Sequence, residues 1–258
     1  MRQDKNRKFI TVALILIGGI ALHNQRLSIT DPENTYPKKI RRAVRVWLNP
    51  PENELERNLI GKGIQCDSRA RLYRATASAT VVIKSAGSLG AGVFVGPRLI
   101  VTAAHVVDGH GLRVYLPAVK NDDLAEPGDP IDVAGVQRIR GLDLAFVSTK
   151  DSYPSWLELE KDYDGDNELM IIGHPKGKYY SLQKARIKKK DMLNSSEFII
   201  FKDNEIFFGN SGGAIVGCNG KLAGVVSSMS NYQNSMLKQG MGINSKTIAA
   251  YMNRLRRG

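Results

Sequence analysis

An all-β architecture, a sandwich or a pair of barrels, is predicted by two features of the sequence, and a third sets its size. The first is a series of short β-branched runs from about residue 75 onward, at 80–84, 92–96, 99–102, 112–116, 143–147, 168–172, 197–201, 214–217 and 222–227. The second is the Gly, Pro, Asn and Asp that separate them, the punctuation expected between short strands. The third is length: 258 residues with 42% hydrophobic and 24% charged side chains accommodate one large domain or two of about 100 to 130 residues. That composition excludes wholesale disorder, a collagen-like fibre and a polytopic membrane protein.

The segments before the strands read differently. Residues 1–8 are basic and 9–22 are uncharged and largely apolar, a pattern of n-region and h-region. Fourteen residues fall short of the roughly 20 that span a bilayer as a helix, so 1–22 is expected to be a signal peptide or a signal anchor. A buried N-terminal helix is the alternative. The protein is therefore expected to be exported or membrane-anchored, in the cell envelope, periplasm or medium. Residues 23–75 form a basic, partly helical extension. Within it Ile40, Ala43, Val44, Trp47 and Leu48 share one helical face and Arg41, Arg42 and Arg45 the other. Such a helix can pack on the domain with its arginines solvated or lie on an anionic membrane surface. After the strands, 245–258 reads as a closing helix, with Ser245 as its cap and cations at its C-terminal end.

The formal charge of +12 raises nucleic acid or an anionic membrane as partners. Residues 81–180 sum to −4, whereas 1–60 carry +5, 61–80 carry +3 and 181–258 carry +8. No aromatic alternation or nucleic-acid motif accompanies the basic run Lys184, Arg186, Lys188, Lys189 and Lys190, which reads as a solvated loop. No nucleic acid is expected. Asp162, Asp164, Asp166 and Glu168 hint at calcium, but Gly165 stands at position 4 where an EF-hand loop needs its glycine at position 6. No metal and no cofactor are expected.

Three segments carry chemistry. His105 follows a strand in Thr102-Ala-Ala-His105, Asp143 opens another in Gly141-Leu-Asp143-Leu-Ala, and Ser211 sits in Gly209-Asn-Ser211-Gly-Gly213. A serine hydroxyl becomes a nucleophile only when a base takes its proton, and the base needs a third group to fix its tautomer and stabilise its cation. Ser211, His105 and Asp143 suit those roles. The amides of Gly209 and Ser211 suit an oxyanion hole, because converging N–H groups need a turn without obstructing side chains. Any one residue is weak, but Gly-Asn-Ser-Gly-Gly arises by chance in well under about one in a thousand chains of this length.

On these residues the sequence resembles the trypsin-like (chymotrypsin-fold) serine proteases, closest to the HtrA/Deg-like branch. The resemblance covers roughly residues 78–250. Gly90-Ala-Gly-Val-Phe-Val-Gly with Leu99-Ile-Val-Thr-Ala-Ala-His is similar to the strand pair before the catalytic histidine, and Asp143-Leu-Ala to the aspartate motif. Ile171-Ile-Gly-His174-Pro-Lys-Gly is similar to a family segment with asparagine where His174 stands, and His174 itself reads as structural. The resemblance implies two antiparallel Greek-key β-barrels, about 76–155 and 156–245, within a protease domain over 76–258, plus the C-terminal helix. It implies a serine endopeptidase that binds polypeptide extended along Val225, Val226, Ser227 and Ser228. Only 47 residues follow Ser211, so no PDZ domain is expected in this sequence, and assembly known for that branch does not carry over. The oligomeric state stays open.

Counted from Ser211 as in trypsin, Glu205 holds the place of the acid that selects Arg or Lys; counted with the HtrA segment, apolar Ile206 favours small aliphatic side chains. The apolar pocket is preferred, with Phe207 and Phe208 beside it, because a buried unpaired Glu is costly. Two cysteines allow at most one bridge. If the chain is exported, Cys66 and Cys218 could tie the extension to the second barrel, and the sequence leaves their pairing open. The alternative to an enzyme is a catalytically silent protease-fold module that binds peptides or a membrane partner.

Overall fold

The structure is a computed structural model that describes residues 66, 69–120, 123–161, 169–193, 196–201, 208–230 and 239–255. The signal-like segment, the basic helix around Trp47, the acidic stretch 162–168, and Glu205, Ile206 and Phe207 lie outside these residues. No helix among the described residues is long and apolar enough to cross a membrane.

The apolar runs of the sequence are strands buried on both faces. In β1 (Thr80–Ser85) Val81 and Ile83 point to one cluster with Phe94, Ile100, Val114 and Val147, while Val82 points to another. In β8 (Leu169–Gly173) Leu169 and Ile171 pack with Ile199, Phe201 and Ile215, and Met170 and Ile172 turn to the cluster that also takes Val82. The shared cluster therefore fills the space between two sheets, and each sheet also has a core of its own. Period-two side-chain geometry with both faces covered produces continuous Val/Ile runs rather than alternation.

The first sheet is ordered β5 (Asp123–Ile131), β4 (Arg113–Lys120), β1, β2 (Ser88–Gly96), β3 (Leu99–Thr102), β7 (Ala145–Thr149), β6 (Val133–Arg138), and the second β10 (Ile187–Leu193), β11 (Ser196–Phe201), β14 (Gln239–Asn244), β13 (Leu222–Ser230), β12 (Ala214–Val216), β8, β9 (Ser181–Ala185), every pairing in both being antiparallel. In the first, β2 (Ser88–Gly96), β3 (Leu99–Thr102) and β1 form a meander and β4 (Arg113–Lys120) returns beside β1. In the second, β12 (Ala214–Val216), β13 (Leu222–Ser230) and β14 (Gln239–Asn244) form the meander and β11 (Ser196–Phe201) lies beside β14. Both are Greek keys, and the predicted all-β, chymotrypsin-like fold is borne out.

Five strands escape the sequence reading: β5 (Asp123–Ile131), β6 (Val133–Arg138), β9 (Ser181–Ala185), β10 (Ile187–Leu193) and β14. Four of them are sheet edges, where prolines and charges replace apolar side chains and keep the open ladder from pairing with another chain. The lysine run read as a solvated loop is a correction of this kind: Lys184 lies in β9 and Lys188 to Lys190 in the edge strand β10.

Two helices flank the sheets. The first, α1 (Arg69–Ser78), puts Leu72, Tyr73 and Ala77 into the shared cluster, and Tyr73 donates from its hydroxyl to Tyr180 O at 2.8 Å. The second, α2 (Ser245–Leu255), buries Ile248 and Met252. Its cap differs from expectation: Asn244 Oδ1 accepts the Lys246 N–H at 2.8 Å, whereas Ser245 Oγ donates to Glu160 O at 2.6 Å. The expected cation near its end is present as Arg254. Cys66 and Cys218 form a disulfide with Cα atoms 5.2 Å apart, tying the segment before α1 to the turn after β12.

His174, in the turn after β8, is wholly buried. Its Nε2 lies 3.2 Å from Val81 O in the first sheet and its Nδ1 lies 3.1 Å from the Tyr180 N–H. A neutral ring with its proton on Nε2 satisfies both contacts. Burial pushes its pKa down to about 4. The folded protein therefore resists a proton that the unfolded chain takes up below about 6.5. Stability from this residue is complete above that pH and is lost as pH falls toward 4, by about 3 kcal/mol at most. Urea unfolding at pH 7 and pH 4.5 is expected to show the loss, and His174→Gln should remove this share of the pH dependence.

Candidate active site

β3 ends at Thr102 and the chain enters a short 3-10 turn, Ala104–Val107, that presents His105. Thr102 Oγ1 donates to Ala91 O at 2.6 Å, and Ser85 Oγ donates to Val106 O at 2.9 Å. Arg138 from β6 bonds Asp108 Oδ1 at 2.7 Å and also Val107 O. The turn is thus fixed on both sides. Asp143 lies just before β7 (Ala145–Thr149), where its carboxylate meets the histidine.

His105 Nδ1 lies 3.0 Å from Asp143 Oδ1 and 2.9 Å from Oδ2, and the His105 backbone N–H donates to Oδ1 at 3.0 Å. Ser227 Oγ, from β13 of the second sheet, donates to Asp143 Oδ2 at 2.6 Å. Burial alone would raise the Asp143 pKa, but the His105 ring, the Ser227 hydroxyl and the His105 amide outweigh it and leave the carboxyl below its ordinary value. The same hydrogen bond, donated by His105 Nδ1 to the Asp143 carboxylate, raises the His105 pKa against partial burial. Nδ1 is thereby assigned to Asp143, which leaves Nε2 as the other ring nitrogen of a side chain 44% exposed.

Ser211 arrives from the other sheet. The nucleophile-like turn is held on one flank by β13, where Gly212 N–H donates to Val226 O at 2.7 Å and Val226 N–H to Gly213 O at 2.9 Å. On its other flank His174 N–H donates to Gly209 O at 3.0 Å and Lys176 N–H to Phe208 O at 2.8 Å. The Ala91 N–H of β2 donates to Ser211 O at 2.8 Å, joining the turn to the first sheet. Glycine is required at two points. Gly209 has φ +95° and a Cβ there would lie 2.0 Å from His174 O; Gly212 has φ +78° and its Cβ would lie 2.0 Å from Ala91 O. Among the described residues no hydrogen bond joins Ser211 Oγ to His105 Nε2.

The structure thus brings His105 and Asp143 into contact and sets Ser211 in a fixed, glycine-lined turn. Of the residues read as substrate contacts, Phe208 is 86% exposed. Val226 is wholly buried, and its N–H and O are engaged by Gly213 and Gly212. Ser227 gives its hydroxyl to Asp143, a role the sequence reading missed and that only the three-dimensional meeting of the two sheets reveals. The β13–β14 register skips between Val226 and Met229, so no Cα partner on β14 pairs with Ser227 or Ser228.

Two curled Greek-key sheets, with a histidine–aspartate pair on the first and a glycine-lined serine turn on the second, define the chymotrypsin-like class of hydrolase folds. The trypsin-like peptidase domain family matches residues 90–225, over half of the chain. The chain belongs to that family and is a serine endopeptidase. Among solved structures it is similar to the Rv3671c protease of M. tuberculosis in its active form, at 20% identity and a TM-score of 0.57, covering 72% of this chain and 86% of that one. The serine endoprotease from Yersinia pestis gives 21% identity and 0.58, covering 75% and 68%. The HtrA-type protease AlgW with a tripeptide gives 23% identity and 0.58, covering 72% and 62%. No curated protein matches.

Proposed function

We propose that the protein hydrolyses peptide bonds of polypeptide substrates through Ser211, His105 and Asp143 and an acyl-enzyme. The observation that carries this is the double contact of His105 Nδ1 with an Asp143 carboxylate that also accepts the His105 amide and Ser227. Such an arrangement leaves Nε2 as the base. Ser211 Oγ attacks the carbonyl carbon as its proton passes to Nε2, and the amides of Gly209 and Ser211 take the oxyanion. The imidazolium then protonates the leaving amine, and water, deprotonated in turn by His105, releases the acid and restores the serine. Asp143 stays ionised throughout and stabilises the cation. The chemistry is carried by side chains and backbone amides alone.

A fluorophosphonate probe is expected to label wild-type protein stoichiometrically at Ser211 and to leave Ser211→Ala unlabelled. The second reading, a protease-fold module that binds peptide without cleaving, draws on one observation: the missing hydrogen bond between Ser211 Oγ and His105. Catalytic hydrogen bonds in unliganded sites are often open and tighten on substrate. Failure of the probe to label wild type would favour the silent module.

For the residue before the scissile bond we favour small aliphatic side chains, with Ile206 and exposed Phe208 at the pocket and Glu205 outside it. Peptides with Val or Ala there are expected to be cleaved faster than the same peptide with Arg. A faster Arg peptide would assign the pocket to Glu205. Export or membrane anchoring through residues 1–22 is supported by the Cys66–Cys218 disulfide, since such bonds persist in oxidising compartments.

A further inference from the structure

An open depression of about 680 Å³ lies where the rim of the first sheet meets the turn after His174. Lys84 of β1, Tyr115 of β4 and Glu126 of β5 line it from the first sheet, and Gly177, Lys178 and Tyr179 from the second. Its place relative to the reacting groups follows from the hydrogen bonds around Ser211. One flank of the serine turn is bound to β13, the strand that an acyl-side peptide would extend. The opposite flank is bound to His174 and Lys176, the start of the segment that lines the depression. The other wall begins beside the histidine, because Ser85, next to Lys84, bonds Val106 O. The depression therefore continues from the flank of the serine turn opposite β13.

The lining is unbalanced in charge. Lys84 Nζ stands 5.1 Å from the Tyr115 ring centroid and 5.7 Å from that of Tyr179, so two phenol faces hold the cation in place. Its cross-strand partner in the β1–β4 register is Arg113, a like charge in the position where an opposite one would stabilise the sheet. Neither Lys84, Arg113 nor Lys178 has a carboxylate partner among the described residues. Glu126 is the one carboxylate of the lining. A positioned ammonium between aromatic walls, with a second lysine at the mouth, is suited to an extended chain bearing a carboxylate.

We propose that this depression is a subsite for the leaving-group side of the peptide and that Lys84 and Lys178 select a carboxylate there, an inference that rests on the proteolytic reading above. The carboxylate can come from an Asp or Glu side chain or from a free C-terminus close to the cleavage point. Glu126 limits the preference by repulsion.

Three peptides test it on the full chain: identical up to an apolar residue before the cleaved bond, and carrying beyond it Glu with an amidated end, Gln with an amidated end, or Gln with a free acid. The carboxylate peptides are expected to exceed the neutral one in kcat/KM by about five- to tenfold at low salt. Whichever is faster identifies the source of the carboxylate. In Lys84→Met with Lys178→Met the advantage should vanish, the three peptides being cleaved at equal rates, and a thermal midpoint equal to that of wild type reports that the fold is intact. Glu126→Gln should widen the advantage. Equal rates for all three peptides in wild type overturn the subsite. If wild type cleaves none of them, the proteolytic reading is what has failed. Fluorescence anisotropy of the same peptides then decides the subsite: tighter binding of a carboxylate peptide that the double lysine variant loses supports it, and equal binding overturns it.

Discussion

Replacing Ser211 by alanine is expected to lower the turnover of an unstructured protein such as casein by about 10⁶. The size follows from how the roles are divided. Every later role of His105 follows the attack of the serine oxygen, so without it the base has no nucleophile to activate, and what remains is the binding of an extended chain and the amides of the glycine turn. The change should leave stability nearly untouched, because the Ser211 backbone O keeps its bond from Ala91 and the side chain donates to no described group. Equal thermal midpoints with a lost rate would separate a chemical effect from a folding one. A Ser211→Ala protein as active as wild type would remove the serine from the mechanism.

Breaking the Cys66–Cys218 bond is the second large effect. The bond closes a loop across 152 positions, and the chain-entropy treatment assigns such a loop about 5 kcal/mol, the upper end of what disulfides contribute. Much of a single domain's net stability is of that size. Reduction, or Cys66→Ser with Cys218→Ser, should therefore lower the urea midpoint sharply. The local consequence is as specific as the global one. Cys66 belongs to the shared core cluster with Leu72, Tyr73 and Ala77, so its release is expected to raise hydrogen exchange first in α1. Unchanged unfolding in reducing and oxidising buffer would show that packing alone retains the helix.

What the sequence made legible, and what it hid, divides along a physical line. Strands buried on both faces need continuous Val, Ile, Leu and Phe, and these were readable at β1, β3, β8 and β12. Edge strands need the reverse, and β5 with Pro127 and Pro130, or β10 with three lysines, looks like loop for that reason. The Gly-Asn-Ser-Gly-Gly turn was readable because its backbone excludes Cβ atoms at Gly209 and Gly212, a constraint that leaves a direct mark on residue type. Ser227 was not, since a hydroxyl that meets a carboxylate 84 residues away leaves no local mark. The cap of α2 was missed by one residue because Asn244 and Ser245 are both good caps, and only the demand of Glu160 O for a donor decides between them.

The carboxylate of Asp143 is supplied by the first sheet, and one of its donors, Ser227, by the second; Ser211 likewise comes from the second sheet and is bonded to Ala91 of the first. On the proposed mechanism neither half of the chain holds a working centre. During synthesis the first sheet emerges with a histidine and no serine to activate, and the serine follows only with the second. On that mechanism the division acts as a safety catch: a nascent chain that holds the first sheet alone has no nucleophile with which to cut itself or its neighbours.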